Sequence, residues 1–170
     1  MKTKLLLIAL LLVVQATLQA QTWNGTVSNV WTNPLNWTPN SVPGVGASVV
    51  INSSPNIPKL PANTSLGALS TSSGASLDFN GFTLTVGANF AYNNLSGTTF
   101  LNTNGSTDIV LNITTPSSGY NFQLNGCTFS DHVTINLSGG DPFLEAQTAT
   151  NTYNGNVTYN INSSLLTSFS

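Results

Sequence analysis

The C-terminal half of the chain carries one strand-like pattern three times. Residues 109–113, 133–137 and 157–161 alternate apolar and polar side chains, apart from the apolar Val110 in the first copy, which is the period of a β-strand with one buried face. The copies begin at a constant offset, since 133 − 109 = 24 and 157 − 133 = 24. A fixed period of this size is typical of stacked repeat architectures. The sequence therefore predicts coils of about 24 residues that stack on one another.

Shorter alternating segments precede these three copies. Apolar residues alternate on both sides of Asn80-Gly81, a dipeptide that is a strong signal for a two-residue turn. Further short apolar alternations surround residues 90–92 and 122–124, and single glycines separate the segments. No window after residue 20 has apolar residues at the 3.6-residue period of a helix. The chain beyond residue 20 is therefore predicted to be all-β.

Two all-β architectures fit short alternating strands. An antiparallel β-sandwich accounts for the alternation alone, whereas a right-handed parallel β-solenoid also accounts for the constant offset between the copies. In a solenoid, Asn112, Asn136 and Asn160 would stack into a ladder of hydrogen-bonded side-chain amides. The first residues of the three copies would form an aliphatic column inside: Ile109, Val133 and Val157. We expect the solenoid, with the sandwich as the alternative.

One aromatic position breaks the register. Phe129 and Tyr153 each lie four residues before their strand, but Phe100 lies nine residues before the next one. Either this coil contains a five-residue insertion, for which residues 102–106 are suitable, or Phe100 belongs to another strand and lies above Leu124. The sequence leaves both interpretations open.

The first twenty residues have the composition of a secretory signal peptide. Lys2 and Lys4 precede an apolar run over residues 5–14, and Ala20 ends a short polar segment at the expected cleavage site. The run is too short for a membrane-spanning helix. We therefore divide the chain into a signal peptide (1–20), a Trp- and Pro-rich N-terminal cap with the first strands (21–65), and solenoid repeats (66–170). The mature protein is expected to be secreted or held at the cell surface.

Removal of the signal peptide leaves an acidic, weakly charged chain. Lys59 is then the only basic residue against five acidic ones, which gives a net charge of 1 − 5 = −4, and the sequence has no Arg. Binding to nucleic acid or to an anionic membrane surface requires clustered Lys and Arg. The composition excludes both classes of partner, and we expect no membrane span in the mature chain.

Two local patterns carry a resemblance to a known group of proteins. The first joins Trp23-x-Gly25, Trp31, Asn36-Trp37 and Val42-Pro43. The second is Thr-Phe/Tyr-x-x-x-Val-Thr, at residues 128–134 and 152–158. Together they resemble the N-terminal region of large secreted bacterial β-helix surface proteins, of the Bacteroidota type or autotransporter-like, over most of residues 23–161. The resemblance implies an adhesive or structural role at a cell surface. Such proteins are usually longer and end in a sorting domain, so the chain resembles an N-terminal piece truncated at its C-terminus.

The three tryptophans have two interpretations. Trp23, Trp31 and Trp37 could offer exposed indole faces on which sugar rings stack. Alternatively, they cover the open apolar end of the first coil, which would otherwise expose core side chains and unpaired backbone. Their position among prolines, just before the repeats, favours the cap.

No residue cluster has the pattern of a catalytic centre. Cys127 is the only cysteine and alternates with Phe129, so we expect it to pack as a small apolar side chain rather than to act as a nucleophile. His132 follows Asp131 directly. On a strand the two side chains would point to opposite faces and could not act on one substrate.

The other acidic residues are also weak candidates. Residues 102–108 have some oxygen ligands for calcium but lack the carboxylates of an EF-hand loop. Asp141 and Glu145 flank Pro142 and could form a carboxylate pair for glycoside hydrolysis. A polysaccharide lyase would need a basic residue, and only Lys59 is available. We assign no catalytic, cofactor-binding or metal-binding residue and expect no cofactor.

Two functional classes remain. The first is a non-catalytic secreted or surface protein, structural or adhesive, with surface glycans or other surface proteins as partners. The second is a carbohydrate-binding or polysaccharide-degrading lyase or hydrolase on the same fold. The absence of Arg and of a clustered acid–base set favours the first. We also expect self-association through an open C-terminal coil, because its strand edges and apolar residues would lack a covering coil.

Overall fold

The computed structural model describes residues 20–87, 92–104, 108–115, 121–139, 143–145 and 149–163. Within these ranges the regular structure consists of β-strands, apart from one turn of 3-10 helix at Pro34–Asn36. The prediction of an all-β chain is confirmed.

The strands form three sheets. Sheet A contains β1 (Gln21–Trp23), β2 (Trp37–Thr38), β3 (Ser48–Ile51), β5 (Ala68–Thr71), β8 (Tyr92–Ser96), β11 (Asn121–Asn125) and β14 (Phe143–Glu145). Sheet B contains β6 (Ser76–Asp78), β9 (Thr99–Leu101), β12 (Thr128–Phe129) and β15 (Thr152–Tyr153). Sheet C contains β4 (Thr64–Leu66), β7 (Thr83–Gly87), β10 (Ile109–Thr115), β13 (Val133–Gly139) and β16 (Val157–Ser163).

The chain visits the sheets in the repeating order A, B, C. Four coils are formed by β5–β6–β7, β8–β9–β10, β11–β12–β13 and β14–β15–β16, and an earlier coil joins β3 to β4. All neighbouring strands within the sheets are parallel except β1 and β2, which are antiparallel. This is a parallel β-solenoid of about five coils. The solenoid prediction is confirmed, and the sandwich alternative is wrong.

The predicted register holds in the last coils of sheet C. Val133 pairs with Ile109 on one side and with Val157 on the other, so the offset is the same in both directions, since 133 − 109 = 24 and 157 − 133 = 24. Earlier coils are shorter, because Leu69 pairs with Val49, an offset of 69 − 49 = 20. The longer repeat is therefore a property of the later coils, where the sequence pattern is clearest.

The structure also resolves the position of Phe100. Phe100 pairs with Phe129, an offset of 129 − 100 = 29, while Ile109 pairs with Val133, an offset of 133 − 109 = 24. Five extra residues therefore lie between Phe100 and Ile109. The insertion interpretation is confirmed, and the alternative placement of Phe100 above Leu124 is wrong. The aromatic side chains stack through the core, with ring centroids 4.9 Å apart for Phe100 and Phe129 and 5.1 Å apart for Phe129 and Tyr153.

Asn80 and Gly81 form the predicted turn. Their φ angles are 51° and 80°, and the backbone N–H of Phe82 donates to the carbonyl oxygen of Phe79 at 2.8 Å. Glycine accepts such an angle without steric cost. The strands on either side belong to sheets B and C, so this turn forms a corner of the solenoid and not a β-hairpin.

Candidate functional site

Asp78, at the end of β6, has a carboxylate held by an ion pair and several hydrogen bonds. Asp78 is only 1% exposed. Its Oδ2 accepts from Thr103 Oγ1 at 2.6 Å and lies 3.2 Å from Lys59 Nζ. Its Oδ1 accepts the backbone N–H groups of Asn80 at 2.9 Å and Thr103 at 3.1 Å. Lys59 Nζ also donates to Thr103 Oγ1 at 2.9 Å. We call Lys59, Asp78 and Thr103 the carboxylate cluster.

These contacts determine the charge on Asp78. Burial removes water from the carboxylate and by itself raises the pKa, but the hydrogen bonds from Thr103, Asn80 and Lys59 outweigh this and lower the pKa of Asp78 below its ordinary value. The carboxylate is therefore ionised at neutral pH and makes a poor proton donor. Lys59, Asp78 and Thr103 belong to three successive coils, so the cluster ties these coils together. Lyase chemistry would need a free basic group, and the Lys59 ammonium group is bound to Asp78 and Thr103.

The three tryptophans form a closed packing unit at the N-terminal end. Trp23, Trp31 and Trp37 are all buried, and the ring centroids of Trp31 and Trp37 lie 4.7 Å apart, edge to face. Trp37 Nε1 donates to the carbonyl oxygen of Trp31 at 2.7 Å, and Trp23 Nε1 to that of Asn56 at 2.9 Å. Sugar stacking requires an open indole face, and the buried rings present none. Their packing is that of the expected cap.

A buried asparagine, whose role the sequence does not predict, organises the loop of this cap. Asn36 Oδ1 accepts the backbone N–H groups of Val27 at 3.1 Å and Ser28 at 3.0 Å. Its Nδ2 donates to Ser28 Oγ at 3.0 Å and to the carbonyl oxygen of Val30 at 2.9 Å. A buried amide must have such partners, because an unsatisfied one is costly. The sequence marks Asn36 only as the residue before Trp37, and asparagine is too frequent in this chain for its type to indicate a buried role.

An open cleft lies between the cap and β4. It has a volume of about 200 Å³ and is lined by Trp31, Thr32, Val42, Pro43, Gly44, Val45, Pro61, Ala62, Asn63, Thr64 and Ser65. No ionisable side chain lies among these residues. The cleft can therefore bind an apolar or neutral group, but it provides no acid, base or nucleophile.

Cys127 has the packing that the sequence predicts. Its side chain is buried and its Sγ donates to the carbonyl oxygen of Leu95 at 3.0 Å. Buried thiols of this kind are poor nucleophiles.

The interpretation of Asp131 and His132 was wrong in its geometry. Both lie before β13, which begins at Val133, so they do not alternate as strand residues, and His132 Nδ1 lies 3.7 Å from Asp131 Oδ1. Asp131 Oδ1 also accepts the backbone N–H of His132 at 2.8 Å. Within the described ranges, no group of three or more His, Cys, Asp or Glu side chains could hold a metal ion.

The remaining candidates are only partly described. Asp141 and the side chain of Glu145 lie outside the described residues, as do residues 105–107 of the calcium-like segment. In the described part of that segment, Asn102 Oδ1 accepts the backbone N–H of Gly81 at 2.7 Å, and Asn104 Nδ2 donates to the carbonyl oxygen of Asn80 at 3.3 Å. These oxygens and amides make contacts between coils.

The outer face of sheet C is uncharged and, apart from Val110, polar. Asn136 Nδ2 donates to Asn112 Oδ1 at 2.7 Å, and Asn160 Nδ2 donates to Asn136 Oδ1 at 2.8 Å. The predicted asparagine ladder is therefore present. Its neighbours on the same face of the four longer strands are Thr83, Thr85, Val110, Thr114, Thr134, Ser138, Thr158 and Asn162. We call these residues and the ladder the polar face.

In the described part of the chain, no helix has the length and apolarity needed to cross a membrane. No protein-family model, curated protein or solved structure matches the chain.

Proposed function

We propose that this protein is a non-catalytic, secreted or cell-surface structural protein whose solenoid serves as a rigid spacer and adhesive contact surface. One observation carries the proposal: the parallel register continues through β7, β10, β13 and β16, with a hydrogen-bonded ladder along its outer face. Each coil is fixed to the next by backbone and side-chain hydrogen bonds. Such an arrangement resists bending and presents a regular surface.

The chemistry of the described side chains supports the same proposal. The Asp78 carboxylate is held ionised by four donors, and the Cys127 thiol is bonded in the core. Both of these groups are therefore engaged in holding neighbouring coils together. The leader-like composition of residues 1–20 and the resemblance to bacterial β-helix surface proteins support a location outside the cell.

The proposal is tested by measuring the export of the chain and its activity on polysaccharides. The full chain with a C-terminal tag is expressed in a Gram-negative host, together with a leader variant, Leu10→Arg, as the control. We expect the mature N-terminus at Gln21 by mass spectrometry and loss of the tag when cells expressing the unmodified chain are treated with protease after their outer membrane has been permeabilised. The Leu10→Arg chain should keep both its leader and its tag.

The purified mature chain should release no sugar and no unsaturated product from a panel of neutral and acidic polysaccharides. Retention of the leader by the unmodified chain, or turnover of any polysaccharide, would contradict the proposal.

A second candidate function, carbohydrate binding without catalysis, is favoured by the polar face. Hydroxyl and amide groups recur there at the spacing of strands, about 4.8 Å, and no charge interrupts them on the strands themselves. Such a face suits a neutral polysaccharide. Thr114→Lys places a charged chain on the face, while Ser53→Lys makes a similar change at an exposed site elsewhere. Binding to insoluble neutral polysaccharide should fall about tenfold, about 1.4 kcal/mol, for Thr114→Lys alone. Equal binding by both variants and by the unmodified chain would show that the polar face does not bind the polysaccharide.

A further inference from the structure

The two ends of the solenoid differ in how their strand edges are protected. At the N-terminal end, sheet A finishes in β2, which has two residues and is followed directly by Pro39. Short strands and prolines discourage further strand pairing. On the same end of sheet C, the carbonyl oxygen of Ser65 in β4 accepts the backbone N–H of Gly46 at 3.2 Å. This end is therefore closed by the cap.

At the other end of sheet C, the described residues give β16 none of these protections. It has seven residues, and its sequence contains no charge, proline or glycine. Among the described strands it pairs only with β13. A long uncharged edge of this kind presents unpaired backbone groups to another strand.

The core-facing side chains of β16 are also partly exposed to solvent. Ile109 and Val133 are 0% and 1% exposed, but Val157, the next residue in their column, is 36% exposed. In a second column Leu137 is 5% exposed and Ile161 is 45% exposed. The apolar residues that one further strand would cover are thus half-exposed at this edge.

We propose that β16 is a self-association edge, and that two copies of this chain pair antiparallel through it around a two-fold axis. A second copy is the occupant that the structure favours, because β16 already pairs with a strand of its own pattern, β13, on its other side. Head-to-tail stacking would require an open N-terminal edge, and the cap closes that end. In the remaining arrangement both copies use the same strand edge. Such an isologous contact closes at a dimer.

The register of the pairing follows from the faces of β16. Asn160 is the central residue of Val157–Ser163. An axis through Asn160 places Tyr159 opposite Ile161 of the second copy, so that core-facing residues meet core-facing residues. Asn160 Oδ1 accepts no hydrogen bond from any described residue, and on the axis it can accept from the amide of the second Asn160. The pairing thus covers the exposed columns and extends the ladder.

Light scattering on the mature chain, residues 21–170, measures the mass directly. We expect a concentration-dependent dimer, and we expect Val157→Lys and Ile161→Lys each to raise the dimer dissociation constant at least tenfold. The matched control is Val45→Lys, which makes the same change at a site 90% exposed beside the cap and should leave the dimer intact. Circular dichroism checks that each variant keeps its β-sheet content.

A second measurement tests the register. Asn160→Cys places two thiols at the two-fold axis, where opposed Cα atoms are about 4.5–5.5 Å apart, within reach of a disulfide. Mild oxidation should link this variant into a covalent dimer much faster than Val45→Cys. An unmodified chain that stays monomeric up to hundreds of micromolar would overturn the proposal. A dimer that Val157→Lys and Ile161→Lys leave unchanged, or equal linking of the two Cys variants, would overturn it as well.

Discussion

Asn136 is joined to Asn112 twice: the two residues are direct partners in neighbouring parallel strands, and Asn136 Nδ2 donates to Asn112 Oδ1 at 2.7 Å. Each side-chain amide in the ladder therefore repeats the hydrogen bonding of the backbone beside it. Identical uncharged residues can stack in this way, whereas identical charges would repel at the strand spacing.

Changing Asn136 to Asp tests the strength of the ladder. The substitution removes the donor to Asn112 and leaves two carbonyl-type oxygens facing each other, so we expect a loss of about 1–3 kcal/mol in the free energy of unfolding. Asn52→Asp is the matched control, because Asn52 is exposed and outside the ladder. Urea unfolding at pH 7 measures both. Equal losses in the two variants would show that the ladder contributes no stability.

The alternation of faces on β13 predicts a strong contrast between neighbours. Ile135 is fully buried between Leu111 and Tyr159, so Ile135→Asp should cost several kcal/mol, a large part of the stability of a typical domain. Thr134→Asn should cost little, since Thr134 lies on the polar face. Asn rather than Asp is chosen at position 134 because Thr134 Oγ1 lies 3.4 Å from Asp108 Oδ2. A carboxylate at position 134 would be repelled by that of Asp108. Limited proteolysis compares the variants, and similar cleavage rates would contradict the assignment of faces.

The carboxylate cluster predicts an acid-sensitive component of stability. The pKa of Asp78 is lower in the folded state than its ordinary value of 3.8. Its contribution is therefore complete above that value and is lost as the pH falls through the lower, folded-state pKa. Urea midpoints between pH 7 and pH 2 should show this loss, and Asp78→Asn should be less stable at pH 7 and less dependent on pH.

Thr103→Val is the companion variant for this cluster. It removes the hydroxyl that donates to Asp78 Oδ2 at 2.6 Å, so the folded-state pKa of Asp78 should rise and the acid-induced loss should begin at a higher pH. Thr83→Val makes the same change on the polar face, away from the cluster, and serves as the control. If Thr103→Val and Thr83→Val gave the same pH profile, the Thr103 hydroxyl would have no effect on the titration of Asp78.

The tryptophan cap predicts a stability effect without a binding effect. Trp37 is fully buried and donates to the carbonyl oxygen of Trp31; Trp37→Ala should therefore cost about 3–5 kcal/mol. Leu35→Ala, at a site 53% exposed, should change stability little. Thermal unfolding measures both variants. A stable Trp37→Ala chain that had lost affinity for a glycan would instead indicate a sugar-stacking role.

The parts of the fold that follow a regular spacing could be predicted from sequence. Asn112, Asn136 and Asn160 are separated by one constant offset, and in a parallel stack a shared offset places residues side by side. The carboxylate cluster could not be predicted in this way. The offset from Lys59 to its partner Asp78 is 78 − 59 = 19, whereas that from Asp78 to its partner Leu101 in the next coil is 101 − 78 = 23. The coils are therefore unequal in length, and Thr103 lies beyond the register partner of Asp78.

Two other features depend on local geometry that the sequence does not specify. The sequence pattern places Asp131 and His132 on a strand, but β13 begins only at Val133, and a small difference in a boundary changes which side chains can meet. The role of Asn36 depends on a loop conformation that brings Val27, Ser28 and Val30 around one amide. Nothing in its sequence neighbourhood specifies that loop.

Cysteine cross-linking tests the parallel stacking of coils most directly. In the parallel register Asn112 faces Asn136, with Cα atoms about 4.8 Å apart, which suits a disulfide. If 109–113 and 133–137 paired antiparallel with their ends aligned, Asn112 would instead face Thr134, because 112 + 134 equals 109 + 137. Two double variants, Asn112→Cys with Asn136→Cys and Asn112→Cys with Thr134→Cys, are oxidised in a Cys127→Ala background. The solenoid predicts rapid disulfide formation in the first and little in the second, and the reverse result would contradict it.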